Sequence, residues 1–326
     1  MSTYKDAGVD ITRGNAIKDD IKKIVRKTHN PNVLADIGHF GGFFRLPSGY
    51  RQPVLVSSTD GVGTKLKVAI MMGRHDTVGE DLVNHSVNDI LCCGAKPLFF
   101  LDYLGLGRVS DTIVKELVVG MARGCKANGV ALVGGETAQM PGLYADGDYD
   151  LAGTIVGVVE RQKMITGEKI VAGDVMIALP SNGLHTNGYS LARKILLERY
   201  TLETKVEELG CTIGEELLKV HRSYLKPLAA AMKKFTLKGV AHITGGGIIE
   251  NTMRILPKKR RLRIDWNSWD NPPIFELIEH AGKVPHDEMI RTFNLGIGMI
   301  LIVSKGKAVQ LQGLLKEGAF ILGEIT

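Results

Sequence analysis

Short apolar runs break into glycine-rich loops at several points in this 326-residue chain, and a helical pattern follows most of these loops. Val54-Leu-Val56 runs into Ser57-Ser-Thr-Asp-Gly-Val-Gly-Thr-Lys65, and Val130-Ala-Leu-Val133 into Gly134-Gly-Glu-Thr137. Val175–Leu179 leads to Ser181-Asn-Gly-Leu-His-Thr-Asn-Gly-Tyr-Ser190, and Ala241-His-Ile243 to Thr244-Gly-Gly-Gly247. Repeated strand–loop–helix order restricts the chain to an α/β architecture, in which helices cover the strands. Several runs are apolar at every position, so both faces of their sheets must be covered. In such sheets ligands collect beyond the carboxyl ends of strands, where these loops lie.

Periodicity predicts a basic amphipathic helix over 13–28, a strand over 53–58 and a helix over 79–92. A strand over 97–105, a helix over 110–128 and strands over 130–134 and 149–160 follow. The polar connection Glu160–Gly173 reads as a seam. The pattern then restarts with a strand over 174–180, helices over 187–199 and 214–234, and a strand over 239–243. Helices over 247–255 and 273–281 and strands near 297–304 complete it, giving domains 1–167 and 168–326.

With 44% hydrophobic residues and abundant charges of both signs, the chain can bury a large core and is not disordered. Its net charge of +6 suits either steering of phosphorylated ligands or ordinary solubility. Basic residues are scattered and aromatics make up only 6%, which argues against nucleic-acid binding. The one basic cluster, Lys258–Arg263, reads as a solvated turn after Pro257 leading into a strand. Four cysteines without a Cys-x-x-Cys pair exclude a disulfide framework and a structural zinc site, and they fit a reducing compartment. No apolar run approaches the length of a membrane span. A soluble cytoplasmic protein is expected, with no nucleic-acid or membrane partner.

Three acidic points stand out. Asp60 can hold a hard divalent cation through oxygen, while Gly61 and Gly63 let the backbone turn close to a ligand. Thr64 adds a hydroxyl, and Lys65 can answer a phosphate charge. The spacing is not that of a Walker A loop. On the helix over 79–92, Asp81, Asn84, His85, Asn88 and Asp89 share one arc, with no long cation among them. That face suits Mg²⁺ and a polyphosphate, and it also suits a polar interface between helices. Glu136 follows Gly134 and Gly135 at a strand terminus. Asp60, the Asp81/Asp89 face and Glu136 are expected to converge on metal-bound phosphates.

In the second half, Ser181, Thr186 and Asn187 precede one helix, and Gly245 and Gly246 precede another. Backbone N–H groups at such starts bind anions, although Thr186 or Asn187 can equally be a plain N-cap. His185 and His242 each sit at a strand-to-loop switch beside glycines, where an imidazole can transfer protons. His85, on the acidic helix face, reads as a structural or supporting residue, and the other histidines, His221 among them, receive no role.

Several segments together carry a resemblance. They are Tyr4-Lys-Asp-Ala-Gly-Val-Asp10, Ser58–Lys65, Val87-Asn-Asp-Ile90 with Gly94-Ala95, Pro97-Leu-Phe-Phe-Leu-Asp-Tyr103, and Gly134–Thr137 with Met140-Pro-Gly142. His185–Leu191, Thr244–Gly247 and Arg291-Thr-Phe-Asn-Leu-Gly-Ile-Gly-Met299 extend the set. The chain resembles the phosphoribosylformylglycinamidine cyclo-ligase (aminoimidazole ribonucleotide synthetase) family from about residue 4 to its end. Cys92-Cys93, Thr186 and Gln139 are small departures from the family pattern. The chain also stops soon after Gly323, which puts a final strand or tail in doubt.

The resemblance implies two α/β domains with mixed sheets backed by helices, and a homodimer whose N-terminal sheets pair into a barrel. The N-terminal domain would bind ATP and metal and dimerise, and the C-terminal domain would complete the active site. The implied reaction is ATP-dependent cyclisation of formylglycinamidine ribonucleotide to 5-aminoimidazole ribonucleotide in purine biosynthesis. Mg²⁺ would be held by Asp60, Asp81, Asp89 and Glu136, with room for a monovalent cation such as K⁺. Lys22, Gly61, Gly63, Thr64, Lys65, Asn88, Gly134 and Gly135 would contact the nucleotide, under a closing arm that includes Gly38–Phe44. His185, His242 and Lys65 would act in catalysis. Ser181, Asn187, Gly245 and Gly246 would hold the substrate, its 5′-phosphate at one of the two helix starts. Rival readings are another phosphoryl-transfer enzyme of the same superfamily and a non-catalytic scaffold.

Overall fold

The computed structural model describes residues 11–316 and 318–326, so the Tyr4–Asp10 motif lies outside the described residues. The chain divides into two compact units, Met1–Ile90 with Lys96–Arg161, and Leu91–Ala95 with Gln162–Thr326. The seam at Arg161–Gln162 lies ahead of the 167/168 boundary expected from sequence.

The first unit contains α1 (Ile11–Arg26), β1 (Pro53–Gly61), α2 (Lys65–Met72) and α3 (Asp76–Leu91). It continues with β2 (Lys96–Leu106), α4 (Asp111–Asn128), β3 (Ala131–Gln139) and β4 (Tyr149–Glu160). The strands order as β1-β4-β2-β3. β2 and β3 run parallel across the α4 crossover, whereas β4 pairs antiparallel with both β1 and β2. Phe100, Leu104 and Ile155 are buried on the helix-covered face. The opposite face carries Leu55, 63% exposed, and the half-buried Phe99, Leu101 and Val156.

α3 and α4 approach so closely that glycine is required at the crossing. A Cβ on Gly120 would lie 1.9 Å from the Asp76 carbonyl oxygen, and one on Gly79 would lie 2.2 Å from that of Leu117. Ser110 caps α4, accepting from the Ile113 amide at 3.3 Å, and Gly129 ends the helix with φ +65°.

The second unit contains β5 (Val175–Pro180), α5 (Tyr189–Leu197), β6 (Lys205–Val206), β7 (Cys211–Thr212), α6 (Ile213–Leu217), α7 (Leu225–Lys234) and β8 (Gly239–His242). Then follow α8 (Gly247–Met253), β9 (Leu262–Ile264), α9 (Pro273–Gly282), α10 (His286–Thr292), β10 (Ile297–Val303), α11 (Ala308–Leu315) and β11 (Phe320–Ile325). Its five-stranded sheet orders as β8-β10-β5-β11-β9. Each of these neighbouring pairs is antiparallel, so strand directions mix in the first sheet only. The reason is topological. Strands joined by helices, such as β5 and β8, are not sheet neighbours, and β10 returns to insert between them. Every residue of β10 is buried, as its uninterrupted apolar sequence requires.

The predicted helix over 214–234 is two helices. α6 stops after Leu217, and Leu218–Tyr224 run out of helix because tertiary bonds capture them. The Val220 carbonyl accepts from Asn182 Nδ2 at 2.7 Å, and the Tyr224 hydroxyl donates to the Pro180 carbonyl at 2.8 Å. Among the described residues, no helix is long and apolar enough to cross a membrane.

One substitution should act in opposite directions at two helical glycines. Gly120→Ala should destabilise by about 3 kcal/mol despite a roughly 1 kcal/mol gain in helix propensity. Gly313→Ala in α11, where a Cβ would meet nothing within 4 Å, should stabilise by about 0.5–1 kcal/mol. Urea unfolding of both variants measures the two changes.

Candidate active site

β1 delivers Asp60 to the loop that precedes α2. The Asp60 carboxylate is exposed and accepts from the Gly61 amide at 2.7 Å. Gly63 takes φ +70°, a conformation that side chains rarely tolerate. Thr64 is exposed just ahead of α2 and makes no side-chain cap. Lys65 then turns inward. Its Nζ lies 2.7 Å from Asp81 Oδ2, with both side chains 0% exposed. Burial lowers the lysine pKa and the Asp81 charge opposes that shift.

Two expectations meet this pair: Lys65, expected at a phosphate, answers a carboxylate, and Asp81, expected at a metal, neutralises an amine. The remainder of the α3 polar face is also internal. Asn128 Nδ2 donates to Asn84 Oδ1 at 2.8 Å, tying α4 to α3, and Asn88 is fully buried. Asp89 differs, being half-buried and accepting from Ser58 Oγ at 3.0 Å. Ser58 and Asp60 are two residues apart on β1 and share a face, so Asp60 and Asp89 lie on the same side of that strand.

Glu136 does not join them within the unit. The strand registers align Asp60 with Gly153, Gly153 with Asp102, and Asp102 with Gly135 in one row across the sheet. Asp60 is on the β1 edge and Gly135 on the β3 edge, three strand spacings or roughly 14 Å apart. Glu136 is the next residue along β3, so its side chain projects from the opposite face.

Glu136 instead lines a cavity of about 930 Å³ in the first unit. α1 contributes Lys22, the loop over 36–42 contributes Gly38 and His39, β2 contributes Asp102, and β3 contributes Gly134 and Gly135. Lys22 Nζ would lie 3.3 Å from a Cβ on Gly38. The cavity thus collects Lys22, Gly134, Gly135 and Glu136 from the expected nucleotide and metal residues. It does not collect Gly61, Gly63, Thr64, Lys65 or Asn88.

The sequence reading passed over Asp102. Burial, reinforced by the Glu136 charge, pushes its carboxyl up to about 7. A Cβ on Gly135 would fall 2.2 Å from Asp102 Oδ1, so this carboxyl is one reason for the glycine pair. The sequence signal was an acid directly after the apolar run Pro97–Leu101 and before Tyr103-Leu104, on the alternating register that faces the helices.

In the second unit, Ser181 Oγ lies 3.0 Å from the Gly183 carbonyl oxygen and 3.0 Å from Asn294 Oδ1. Asn187 and Gly245 are brought together, since a Cβ on Gly245 would lie 3.4 Å from Asn187 Oδ1. Gly246, with φ +93°, leads into α8. His185 has φ +61° and is 2% exposed, and its Nε2 lies 3.0 Å from Asn182 Oδ1.

His221, given no role from sequence, joins the two motif histidines. Its ring stacks on His185 with centroids 3.9 Å apart, and its Nε2 lies 3.1 Å from His242 Nε2. Its Nδ1 lies 3.2 Å from Thr186 Oγ1. All three imidazoles are buried. The helix break over 218–224 places His221 there, and nothing in the sequence around it announces this.

Two α/β units, one offering carboxylates at a strand end and the other buried imidazoles, define a class. Residues 44–159 match the family described as AIR synthase related protein, N-terminal domain, and residues 171–326 match its C-terminal domain. A Carboxydothermus hydrogenoformans protein named phosphoribosylformylglycinamidine cyclo-ligase is 56% identical over 330 residues, covering 99% of this chain and 96% of that protein. A Syntrophotalea carbinolica protein of the same name is 53% identical over 331 residues, covering 99% and 94%. The chain belongs to the phosphoribosylformylglycinamidine cyclo-ligase family.

Solved structures share the fold at low identity. Hydrogenase maturation protein HypE in complex with ATP aligns with TM-score 0.69 and 15% identity, covering 96% of this chain and 86% of that one. Thiamine-monophosphate kinase from Stenotrophomonas maltophilia K279a aligns with TM-score 0.67 and 15% identity, covering 95% and 93%.

Removing one member of the Lys65–Asp81 pair leaves a buried charge without its counterion. Lys65→Met and Asp81→Leu should each cost about 3–5 kcal/mol, and the double variant should cost less than their sum. Chemical denaturation of the three variants checks this, and additive losses would remove the pair from the account.

Proposed function

We propose that this protein closes the imidazole ring of 5-aminoimidazole ribonucleotide from formylglycinamidine ribonucleotide, using ATP and releasing ADP and phosphate, in cytoplasmic purine biosynthesis. The observation that carries this reading is identity of 56% over 99% of the chain to a protein named for the activity.

An amide oxygen is a poor leaving group. Transfer of the γ-phosphoryl group to the formyl oxygen converts it to an imino-phosphate. The amidine-side nitrogen of the same molecule then forms the ring C–N bond and phosphate departs. Holding both groups together makes this second step effectively intramolecular.

Asp60 and Asp89 offer only oxygen on one side of β1, a donor set that fits Mg²⁺, which commonly binds one or two carboxylates together with substrate phosphates. When bound there, Mg²⁺ offsets charge on the phosphoryl oxygens. Gly61 and Gly63 leave the neighbouring backbone open to close approach. Lys22, Gly134, Gly135 and Glu136 line the cavity beneath the loop over 36–42, a sheet's width from Asp60, so they serve the same nucleotide only across a homodimer. Ser181, Asn187, Gly245 and Gly246 hold the ribonucleotide, and His185 and His242 move protons during closure.

The bare sheet face supports a homodimer in which two N-terminal sheets close as a barrel. Leu55, Phe99, Leu101 and Val156 form an apolar surface that such a partner would cover. Leu55→Asp should then shift the protein from dimer to monomer in light scattering, and an unchanged mass would reject this packing.

Asp89→Asn should lower ribonucleotide-dependent ADP release by about 10²-fold or more while leaving the fold intact. Near-normal turnover by that variant would remove the metal role. Wild-type ADP release that responds to thiamine monophosphate, and not to formylglycinamidine ribonucleotide, would overturn the substrate assignment.

A further inference from the structure

The loop Thr244–Gly247, between β8 and α8, is held from behind by one side chain. Asn251 lies one turn into α8 and is 3% exposed. Its Nδ2 donates to the carbonyls of Gly247 at 2.8 Å, Gly245 at 3.2 Å and Thr244 at 3.3 Å. Carbonyls only accept, so the nitrogen end of the amide must face them, and its hydrogens are shared among them. The other end of the amide is fixed by Thr244, whose hydroxyl donates to Asn251 Oδ1 at 3.2 Å.

These bonds set the direction of the backbone. The Gly247 amide donates to the Thr244 carbonyl at 3.2 Å, closing a turn whose third position is Gly246, with φ +93° and ψ −5°. That conformation calls for glycine. In a trans peptide the N–H points opposite to the C=O of the preceding residue, and no cis bond occurs among the described residues. Carbonyls of Thr244 and Gly245 that turn toward Asn251 therefore turn the N–H groups of Gly245 and Gly246 away from it. Gly245 is exposed and Gly246 half-buried. Among the described residues, neither N–H donates to a protein acceptor. Asn187 stands beside the same loop, its Oδ1 3.4 Å from the place of a Gly245 Cβ.

We infer that Asn251 is a positioning residue that turns two consecutive backbone donors, the N–H groups of Gly245 and Gly246, outward to an acceptor oxygen of the ribonucleotide. The role rests on the function proposed above, in which these glycines hold that substrate. Successive glycines have no side chains to restrain their peptide planes. Donors left free to rotate must be ordered when the ligand arrives, and that ordering weakens binding. Asn251 orders them beforehand. It acts from inside the unit through the loop, so its effect falls on substrate affinity and not on the bond-making step.

The test is steady-state ADP release by full-length variants with formylglycinamidine ribonucleotide and ATP. Asn251→Ala should raise KM for the ribonucleotide about tenfold, with kcat within about threefold and KM for ATP within about twofold of wild type. Thr244→Val removes only the bond that fixes the amide, and it should raise the same KM about threefold. Thr244→Ser keeps the hydroxyl and should restore the wild-type KM. A loss that falls on kcat, or on both KM values alike, would mark a merely structural residue and overturn the role. So would a loss that Thr244→Ser shares with Thr244→Val, and this pair decides the matter if Asn251→Ala fails to fold.

Amide hydrogen exchange of the wild-type protein supplies a readout that needs no variant. The Gly245 and Gly246 amides should exchange rapidly in the free protein, and about tenfold more slowly with ribonucleotide bound, but not with ATP alone. Protection in the free protein, or exchange that ribonucleotide leaves unchanged, would overturn the role. Wild-type turnover with unchanged exchange would defeat this inference alone. Wild-type protein that cyclises no ribonucleotide would defeat the proposed function, and the role with it.

Discussion

The ion pair between Lys65 and Asp81 ties the first helix after β1 to the long helix that follows. Both groups are wholly withdrawn from water, so neither is tolerable without the other. The pair fixes the start of α2 against α3. It therefore sets where the chain must turn between Gly61 and Thr64, close to the side of β1 that Asp60 and Asp89 share. A surface ion pair would lack that authority, because water would compete for both partners. The glycine crossing of α3 on α4 supplies the complementary constraint, since a helix that close cannot roll without backbone collision.

This arrangement explains why a polar helix face misleads. Asp81, Asn84 and Asn88 lie on the arc that sequence periodicity assigns to them, but neighbouring elements cover that arc. A helical wheel shows which residues share a side of a helix and not what stands opposite. The absence of long cations on the face had a simple cause, for the cation that answers Asp81 comes from Lys65 on another helix. Asp89, one turn beyond His85, is only half-buried and keeps its carboxylate on the Asp60 side of β1.

Much of the fold was legible. The strand over 149–160 appears with the predicted limits, and most other strands and helices lie within a few residues of them, because their periodicities were strong. The shortfalls have physical causes. α2 is only eight residues long and follows a loop that looked complete in itself. The helix over 214–234 is interrupted by bonds to Asn182 and Pro180, which lie far away in sequence. Sheet register was invisible, and it sets Glu136 apart from Asp60 within the unit, one residue along β3 and on the far edge of the sheet. Asp102 and His221 were missed for related reasons. Each gains its meaning from a neighbour, Gly135 or His242, that only the folded chain supplies.

The two groups of side chains also differ in kind, and the difference follows from what surrounds them. Asp60 is exposed and Asp89 half-buried, and both lie where water can still support their charge. The imidazoles are enclosed, and an enclosed histidine is stable only if its polar nitrogens find partners. His221 and His242 supply part of that need for each other. So enclosed a setting is unsuited to holding a triphosphate. The carboxylates of the first unit can balance a metal cation, and the imidazoles of the second can accept and return a proton. A ring closure driven by phosphoryl transfer calls for both capacities.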